Sequence, residues 1–368
     1  MYRLEPPFAH DRVPRVGVLL VNLGTPDAPT PAAVRKYLAE FLSDPRVIEI
    51  PPFAWQPVLH GVVLRTRPSK SAARYAAIWT KDGSPLAIHT NKQRVLLAGY
   101  LGQRLKTLGL PADLAIIEQA MRYGNPPLGA AIERLRAAGC DRILVVPLYP
   151  QYAASTTGSV VDAVAAHLLR ARRVPGLRIV DTFHDDPGYI AALAATVNDY
   201  WTRHGQPEHL VLSFHGLPRR APTRGDPFHC FCQVTGRLLA RELGLESRQW
   251  TLAFQSRFGR GRWLEPYTAT ILAKLGAARP RRIDVFAPGF VADCLETLEE
   301  LAIEGKRTFQ EAGGQDYNVI PCLNEHPRWI AALADIVLSN LQGWLAPPSG
   351  NAEREVTMLR AKALGATA

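Results

Sequence analysis

Two stretches of this chain carry residue types suited to acid–base or metal chemistry. The first is Leu212-Ser213-Phe214-His215-Gly216-Leu217-Pro218, where a histidine closes an apolar run. An imidazole titrates near neutral pH and can take a proton or bind a metal. Gly216 lets backbone approach a ligand closely, and Pro218 fixes the exit from the turn. The plainer alternative is a histidine that only hydrogen-bonds at a strand end. The second stretch is Asp293-Cys294-Leu295-Glu296-Thr297-Leu298-Glu299-Glu300-Leu301-Ala302-Ile303-Glu304. Carboxylates at 293, 296, 300 and 304 are spaced 3, 4 and 4 apart, which on an α-helix makes one stripe. Like charges at that spacing repel unless they are solvated or neutralised. Two readings stay open. One is a wet surface face, its early acids favoured by the helix N-terminus. The other is a column of hard oxygen ligands leading a divalent cation to a site.

Other chemistries find less support. Cys230-Phe231-Cys232 opens a helical pattern, where residues two apart point to nearly opposite faces. Cys140, Cys294 and Cys322 have no partner at ligand spacing. All five cysteines therefore read as free thiols, which suits a reducing compartment. There is no GxGxxG after a strand and no GxxxxGK[ST], so neither a dinucleotide nor a P-loop site is expected. Lys and Arg exceed Asp and Glu by 43 to 33, a net charge of +10. That surplus suits nucleic acid, an anionic membrane face or a small anionic ligand. The basic residues are dispersed, with no zinc-finger spacing or ribonucleoprotein motif, which weighs against nucleic acid. No apolar stretch reaches the ~18 residues of a membrane span. Residues 1–10 carry charge and two prolines but no apolar signal core, so the chain is expected in the cytoplasm.

The elements that must position these residues alternate. Apolar β-branched runs predict strands at 16–23, 114–119, 142–148, 177–181, 210–214, 251–255 and 283–287. Helical patterns follow at 31–41, 93–108, 128–138, 160–172, 189–203, 233–243, 268–275 and 295–311. Nearly continuous apolar strands alternating with helices mean parallel sheets covered on both faces. The fold class is α/β, and 368 residues suit two Rossmann-like domains with a cleft between them. The expected halves are 1–173 and 174–325, with a hinge at 170–176 ending in Val174-Pro175-Gly176. A last helix within 326–344 can pack back onto the first half, and 345–368 is expected as a loosely ordered tail. Ligands of such sheets lie beyond the carboxyl ends of the strands. The rim then comprises Gly24-Thr25-Pro26, Met121-Arg122-Tyr123-Gly124, Tyr149-Pro150-Gln151-Tyr152, His215-Gly216, Ser256-Arg257-Phe258-Gly259 and Pro288-Gly289-Phe290.

Several of these motifs together resemble the ferrochelatase family. They are Val18-Leu19-Leu20-Val21-Asn22-Leu23-Gly24-Thr25-Pro26, Tyr149-Pro150-Gln151-Tyr152 with Ser155-Thr156-Thr157-Gly158, and 212–218. Phe254-Gln255-Ser256-Arg257 with Trp263, and Pro288-Gly289-Phe290 running on to Glu300, continue the match in the family's order, from about residue 16 to about 326. The resemblance implies a tetrapyrrole cleft between the halves and insertion of Fe²⁺ into protoporphyrin IX to give protohaem, the last step of haem synthesis. It places the family's histidine on His215, its acidic partner on Glu296, its Arg-Tyr pair on Arg122 and Tyr123, and its cleft tryptophan on Trp263. Asn22 stands where relatives that metallate coproporphyrin tend to have Tyr, which favours protoporphyrin. Animal members bind a [2Fe–2S] cluster through a cysteine-rich extension. No Cys follows Cys322 and Ala153-Ala154 stands at another of its cysteine positions, so no such cluster and no tightly bound cofactor is expected; Fe²⁺ is substrate.

Residue chemistry meets that implication. Metallating a porphyrin removes two weakly acidic pyrrole protons while a hydrated cation sheds water. A cleft that forces the flat ring out of plane exposes its nitrogen lone pairs, strain drawn from remote contacts. A neutral imidazole at His215 suits the base, and carboxylates suit Fe²⁺ delivery, so His215, Glu296, Glu300 and Glu304 form the expected metal path. Asn22, Tyr75, Tyr123, Tyr152 and Trp263 are candidates for the disc, with Arg65, Arg67 and Arg122 for its propionates. A chelatase that inserts cobalt or nickel is one alternative and would want more histidines at the rim. A non-enzymatic tetrapyrrole or metal carrier is another, and would need neither base nor acidic column. The apolar, proline-broken stretch 48–63 is followed by Arg65, Arg67 and Lys70. It reads either as a loop over the domain's own core or as a lip that touches an anionic membrane at its inner face.

Overall fold

Val16 to Val21 is an unbroken apolar run, and such a run is stable only with both faces covered. In the computed structural model, which describes residues 2, 3, 5, 10, 12–259, 261–347 and 350–366, this run lies in β1, Arg15–Thr25, inside a parallel sheet. The sheet also holds β2 (Ala115–Gly124), β3 (Cys140–Pro147) and β4 (Gly176–Ile179), in the order β2-β1-β3-β4. A second parallel sheet repeats that order with β5 (His209–His215), β6 (Trp250–Gln255), β7 (Arg282–Phe286) and β8 (Asp316–Val319), as β6-β5-β7-β8. In each sheet the chain steps to one side of its first strand and then to the other. The crevice of such a sheet opens at that reversal, here beyond the ends of β1 and β3 and of β5 and β7.

Alternation along the central strands decides how the halves meet. Val16, Val18 and Leu20 of β1 and Leu210, Leu212 and Phe214 of β5 all belong to one buried core. Helices Pro85–Thr107, Pro187–His204 and Pro327–Asn340 fill it from between the sheets. Leu19 and Val21 face the other way, onto helices Leu128–Ala137 and Ser159–Leu168, while Val211 packs toward Leu272 and Phe309 on the far side of the second sheet. A period of two thus turns one face of each sheet toward a common interior.

Four boundaries differ from the sequence reading. Gly176–Ile179 pairs with β3, Arg142 opposite Gly176, so both the expected hinge at 170–176 and the division after 173 fall inside the first half. A short strand does not itself reveal which neighbour it will pair with. β8 was not among the expected strands, because Asp316-Tyr317-Asn318-Val319 is half polar and sits at a sheet edge. Residues 52–78 are helical almost throughout, as Pro52–Val58, a π-helical turn Leu59–Val63 and Leu64–Ile78, so the prolines do not break the stretch. The expected loose tail contains a helix, Asn351–Ala363, with no buried residue. Helix Pro327–Asn340 lies against the first half, where Arg178 Nη1 donates to Asn340 O at 2.7 Å and Gln342 O at 2.8 Å. All five cysteines are free thiols.

Leu193, with no exposed surface, sits in the core common to both sheets. Leu193→Ala is expected to cost about 2–5 kcal/mol. Urea unfolding followed by tryptophan fluorescence and circular dichroism should show one coincident transition shifted to lower urea; two separate transitions would refute a common core.

Candidate active site

β5 carries His215 to the mouth of the second sheet's crevice, half-buried. Its Nδ1 lies 2.7 Å from Gly216 O, which can only accept, so the neutral ring keeps its proton on Nδ1. Nε2 is left with a lone pair and no protein partner among the described residues. Gly216 is required by its neighbours. A Cβ there would stand 2.7 Å from Gln255 O and 3.2 Å from Trp263 Cε3. That space lets Trp263, 6% exposed, lie against the histidine turn, with the Phe258 ring 4.7 Å from its own.

The acidic stretch is a π-helical segment, Glu296–Gly305, rather than the expected α-helix. Such wide turns are frequent at functional sites. Its carboxylates do not form one column; each has a different environment. Asp293 is structural, accepting from Thr297 Oγ1 at 2.9 Å and Asn324 Nδ2 at 2.7 Å. Glu300 accepts from Ser256 N and from Ser256 Oγ, both at 2.6 Å. Ser256 makes that fork with a φ of 63°, unusual for a residue with a side chain. Burial pushes the Glu300 carboxyl up and Glu296 adds to it, against the Ser256 hydrogen bonds and the neighbouring His215. Glu299 and Glu304 are both held by Arg74. Glu296 offers its backbone oxygen to Gln255 Nε2 at 3.1 Å, while its carboxylate faces Tyr37, Tyr75 and the Cys294 thiol. Burial first, and then this carboxylate, push the Tyr75 phenol far above its ordinary value. Among the described residues no three His, Cys, Asp or Glu side chains are grouped closely enough to hold a metal. The expected set of His215, Glu296, Glu300 and Glu304 is therefore not a preassembled site, because Ser256 and Arg74 already occupy two of its members.

The candidate wall residues divide as well. Tyr123 is wholly buried and donates to Asp44 Oδ2 at 2.8 Å. Arg122 reaches the same oxygen at 2.6 Å and Ser159 Oγ at 2.6 Å. Burial works to raise the Asp44 carboxyl, but Ser159, Tyr123 and Arg122 hold it below its usual range. This pair thus anchors helix Pro31–Ser43 to β2 through Asp44, contacts that the strand-end position alone could not supply. Asn22 is also enclosed, donating to Thr90 Oγ1 at 3.0 Å and accepting from Leu23 N at 2.9 Å. Tyr75, 8% exposed, stands edge-on to Tyr37 with ring centres 6.5 Å apart. Tyr152 is half-buried, its hydroxyl against Gly158. Arg65 and Arg67 are exposed on helix Leu64–Ile78, and the Arg67 guanidinium lies 5.9 Å from the Phe258 ring centre, across the cleft.

A cavity of about 300 Å³ opens there, lined by Leu42, Ile48, Trp55, Val62, Arg67 and Phe258. Its outer edge is apolar and exposed, Phe53 by 84% and Val62 by 57%, whereas Leu59 is buried and Trp55 Nε1 donates to Leu42 O at 2.6 Å. The stretch 48–63 is thus both a cover on its own core and an open apolar lip. Glu49 beside it accepts from Arg220 at 3.3 Å and Arg224 at 2.9 Å, which tie the two halves at the mouth. Sequence reasoning missed Tyr37, Asp44 and Arg74. Nothing in their local patterns marks them, since each matters through a partner distant in the chain.

Comparison with known proteins agrees in family and fold. The family model described as ferrochelatase matches residues 15–341. A ferrochelatase of Azoarcus sp. (strain BH72) is 57% identical over 363 residues, 98% of each chain. A ferrochelatase of Aromatoleum aromaticum is 55% identical over 366 residues, 99% of each chain. Among solved structures, SirB from Bacillus subtilis with Fe³⁺ superposes with a TM-score of 0.50 at 12% identity, over 89% of this chain and 96% of that one, a likeness of fold alone.

The environment of Glu300 sets a pH dependence. Its pKa is raised in the fold, so the folded state favours the protonated form, and stability falls as pH rises through that raised value. Glu300→Gln is expected to raise Tm by a few degrees at pH 7.5. The gain should vanish below about pH 4, where the carboxyl is protonated in both states. A Tm series from pH 4 to 8 checks this, and a gain independent of pH would contradict the assignment.

Proposed function

We infer the working of the cleft from one premise: the chain belongs to the ferrochelatase family. It is a lyase that inserts ferrous iron into protoporphyrin IX, giving protohaem.

We propose that His215 Nε2 is the base that takes the pyrrole protons one at a time, passing the first to solvent before it accepts the second. The observation that carries this is the bond from His215 Nδ1 to Gly216 O, which presets the tautomer and leaves a lone pair on Nε2. Of the described strand ends, only that of β5 is a histidine. A chelatase with several rim imidazoles for cobalt or nickel is the less supported reading. Glu296 attracts the cation and offsets the imidazolium formed when the proton moves. Its carboxylate has no arginine or lysine partner among the described residues, so its charge is available to Fe²⁺. Glu300 and Glu304 lie further along the same segment and relay the cation toward it. Trp263, Phe258 and Tyr75 give the disc its apolar edges, and Arg65 and Arg67 meet propionates at the mouth. Arg122 and Tyr123 act from behind, through Asp44.

His215→Ala should abolish metal insertion yet leave porphyrin affinity within about 1 kcal/mol, because the contact area lies on the aromatic walls. Glu296→Gln should lower kcat severely. Anaerobic absorbance assays with porphyrin and Fe²⁺, paired with porphyrin fluorescence titration, read both; near-wild-type turnover in His215→Ala would sink the assignment.

The lip is our proposed membrane contact, peripheral and at the inner face. No described helix is long and apolar enough to cross a membrane. The exposed Phe53 and Val62 sit beside Arg65 and Lys70, an apolar edge with a basic flank that suits anionic lipid. Wild-type protein should float with anionic vesicles at low salt, and Phe53→Asp with Val62→Asp should stay behind. Absence of wild-type flotation at low and high salt would leave the lip only its role at the cleft mouth.

A further inference from the structure

No residue of helix Asn351–Ala363 is buried, and its apolar side chains stand open to solvent, Val356 by 45% and Leu359 by 56%. A helix of 13 residues is marginal alone in water, because helices in proteins draw most of their stability from packing an apolar face. Such a face is present. Ala352, Val356, Leu359 and Ala363 are all exposed and are spaced 4, 3 and 4 apart, which makes one stripe. That spacing is the seam of a coiled coil, with Val356 and Ala363 at heptad position a and Ala352 and Leu359 at position d.

The charges beside the stripe say what it fits. Positions e and g flank such a seam and set partner and orientation. Here Glu353 and Arg360 lie on one flank, Glu355 and Lys362 on the other, so each flank begins acidic and ends basic. The helix dipole accounts for that order along the axis, but not for the placing of one acid and one base on either side of the stripe. A second copy laid antiparallel matches both flanks. Val356 then meets Leu359 of the second copy, and Ala352 meets its Ala363. Glu353 faces its Arg360 and Glu355 its Lys362, each pair made again by symmetry, and the two dipoles oppose. A parallel pair would join only Glu355 to Arg360 and would set like helix ends side by side. An anionic bilayer is the poorer match, because Glu353 and Glu355 would face its headgroups.

We propose that helix Asn351–Ala363 is a self-association surface, through which two copies of this chain pair antiparallel. The small Ala352 and Ala363 let the backbones approach closely at both ends of the seam. A seam this short falls well below a standard interface, so the dimer dissociates readily, with a Kd on the order of 10–100 μM.

Sedimentation of the full chain from about 2 to 300 μM brackets that Kd. Wild type should pass from monomer to dimer across the range, and Leu359→Asp should stay monomeric. Glu353→Arg should weaken association about tenfold, and the swap Glu353→Arg/Arg360→Glu should return it to near the wild-type value. Since the helix buries no residue, these changes should leave the Tm of the monomer unchanged. A parallel pair gives the opposite pattern, with little effect of Glu353→Arg and weaker association in the swap, and that result overturns the proposal. A wild-type chain that stays monomeric throughout also overturns it, as does a dimer that survives Leu359→Asp. Loss of flotation with anionic vesicles in a Leu359→Asp variant of an always monomeric chain would assign the stripe to lipid instead.

Discussion

The common core between the two sheets is the constraint on which the rest of the molecule depends. Val18 and Leu20 of β1 and Leu212 and Phe214 of β5 point into one interior, filled by three long helices. Burying apolar surface there is the dominant favourable term, and it fixes where both strands end. β1 then closes on Gly24-Thr25, where a Cβ on Gly24 would stand 1.8 Å from Tyr123 O, and β5 closes on His215. A hinge between independent halves would leave the distance from base to lip soft. A single core does not, so the cleft can hold a rigid disc against a preset imidazole.

Charge is arranged on that frame by unequal compensation. The π-helical segment brings Glu296, Glu299, Glu300 and Glu304 close together in sequence, and bare carboxylates so close would repel. The protein answers with Arg74 for two of them and with the Ser256 fork for a third. Holding Ser256 in left-handed backbone costs energy, and residues so held cluster where geometry serves a function. Repulsion along the segment is reduced without placing a cation beside every acid.

Much of this was legible in the residues. The nearly continuous apolar runs marked seven of the eight strands, and the Gly and Pro after them marked the rim. His215 drew attention through its strand-end flanks, Gly216 and Pro218, whereas Glu296 was picked out from its neighbouring acids only by the family resemblance. The division between halves could not be read, since β4 is four residues whose partner is chosen by a long-range register with β3. The bonding of Arg122 and Tyr123 to Asp44 was hidden for a related reason. A strand end places a residue at the rim, but only tertiary contacts show that Asp44, 78 residues from Arg122 in sequence, turns both side chains inward. Helical runs through Pro57 and Pro68 were likewise hidden, because local breaking tendencies were overridden by burial of Leu59, Leu64 and Tyr75.

The aromatic wall opposite Glu296 explains why this one carboxylate stands apart. Burial and the carboxylate itself push the Tyr37 and Tyr75 phenols far above their ordinary values, so both stay neutral at any physiological pH. They contribute apolar area and no countercharge. Cys294 is likewise pushed up by burial and by Glu296, and remains a thiol. Glu296 thus faces three neutral groups, in a setting where a charge interacts more strongly than it would in water. On the metal path proposed above, a cation would meet acids already satisfied by Ser256 and Arg74, and then one that is not. Such a gradient favours inward movement with no tight resting place on the way, which a metal destined for transfer requires.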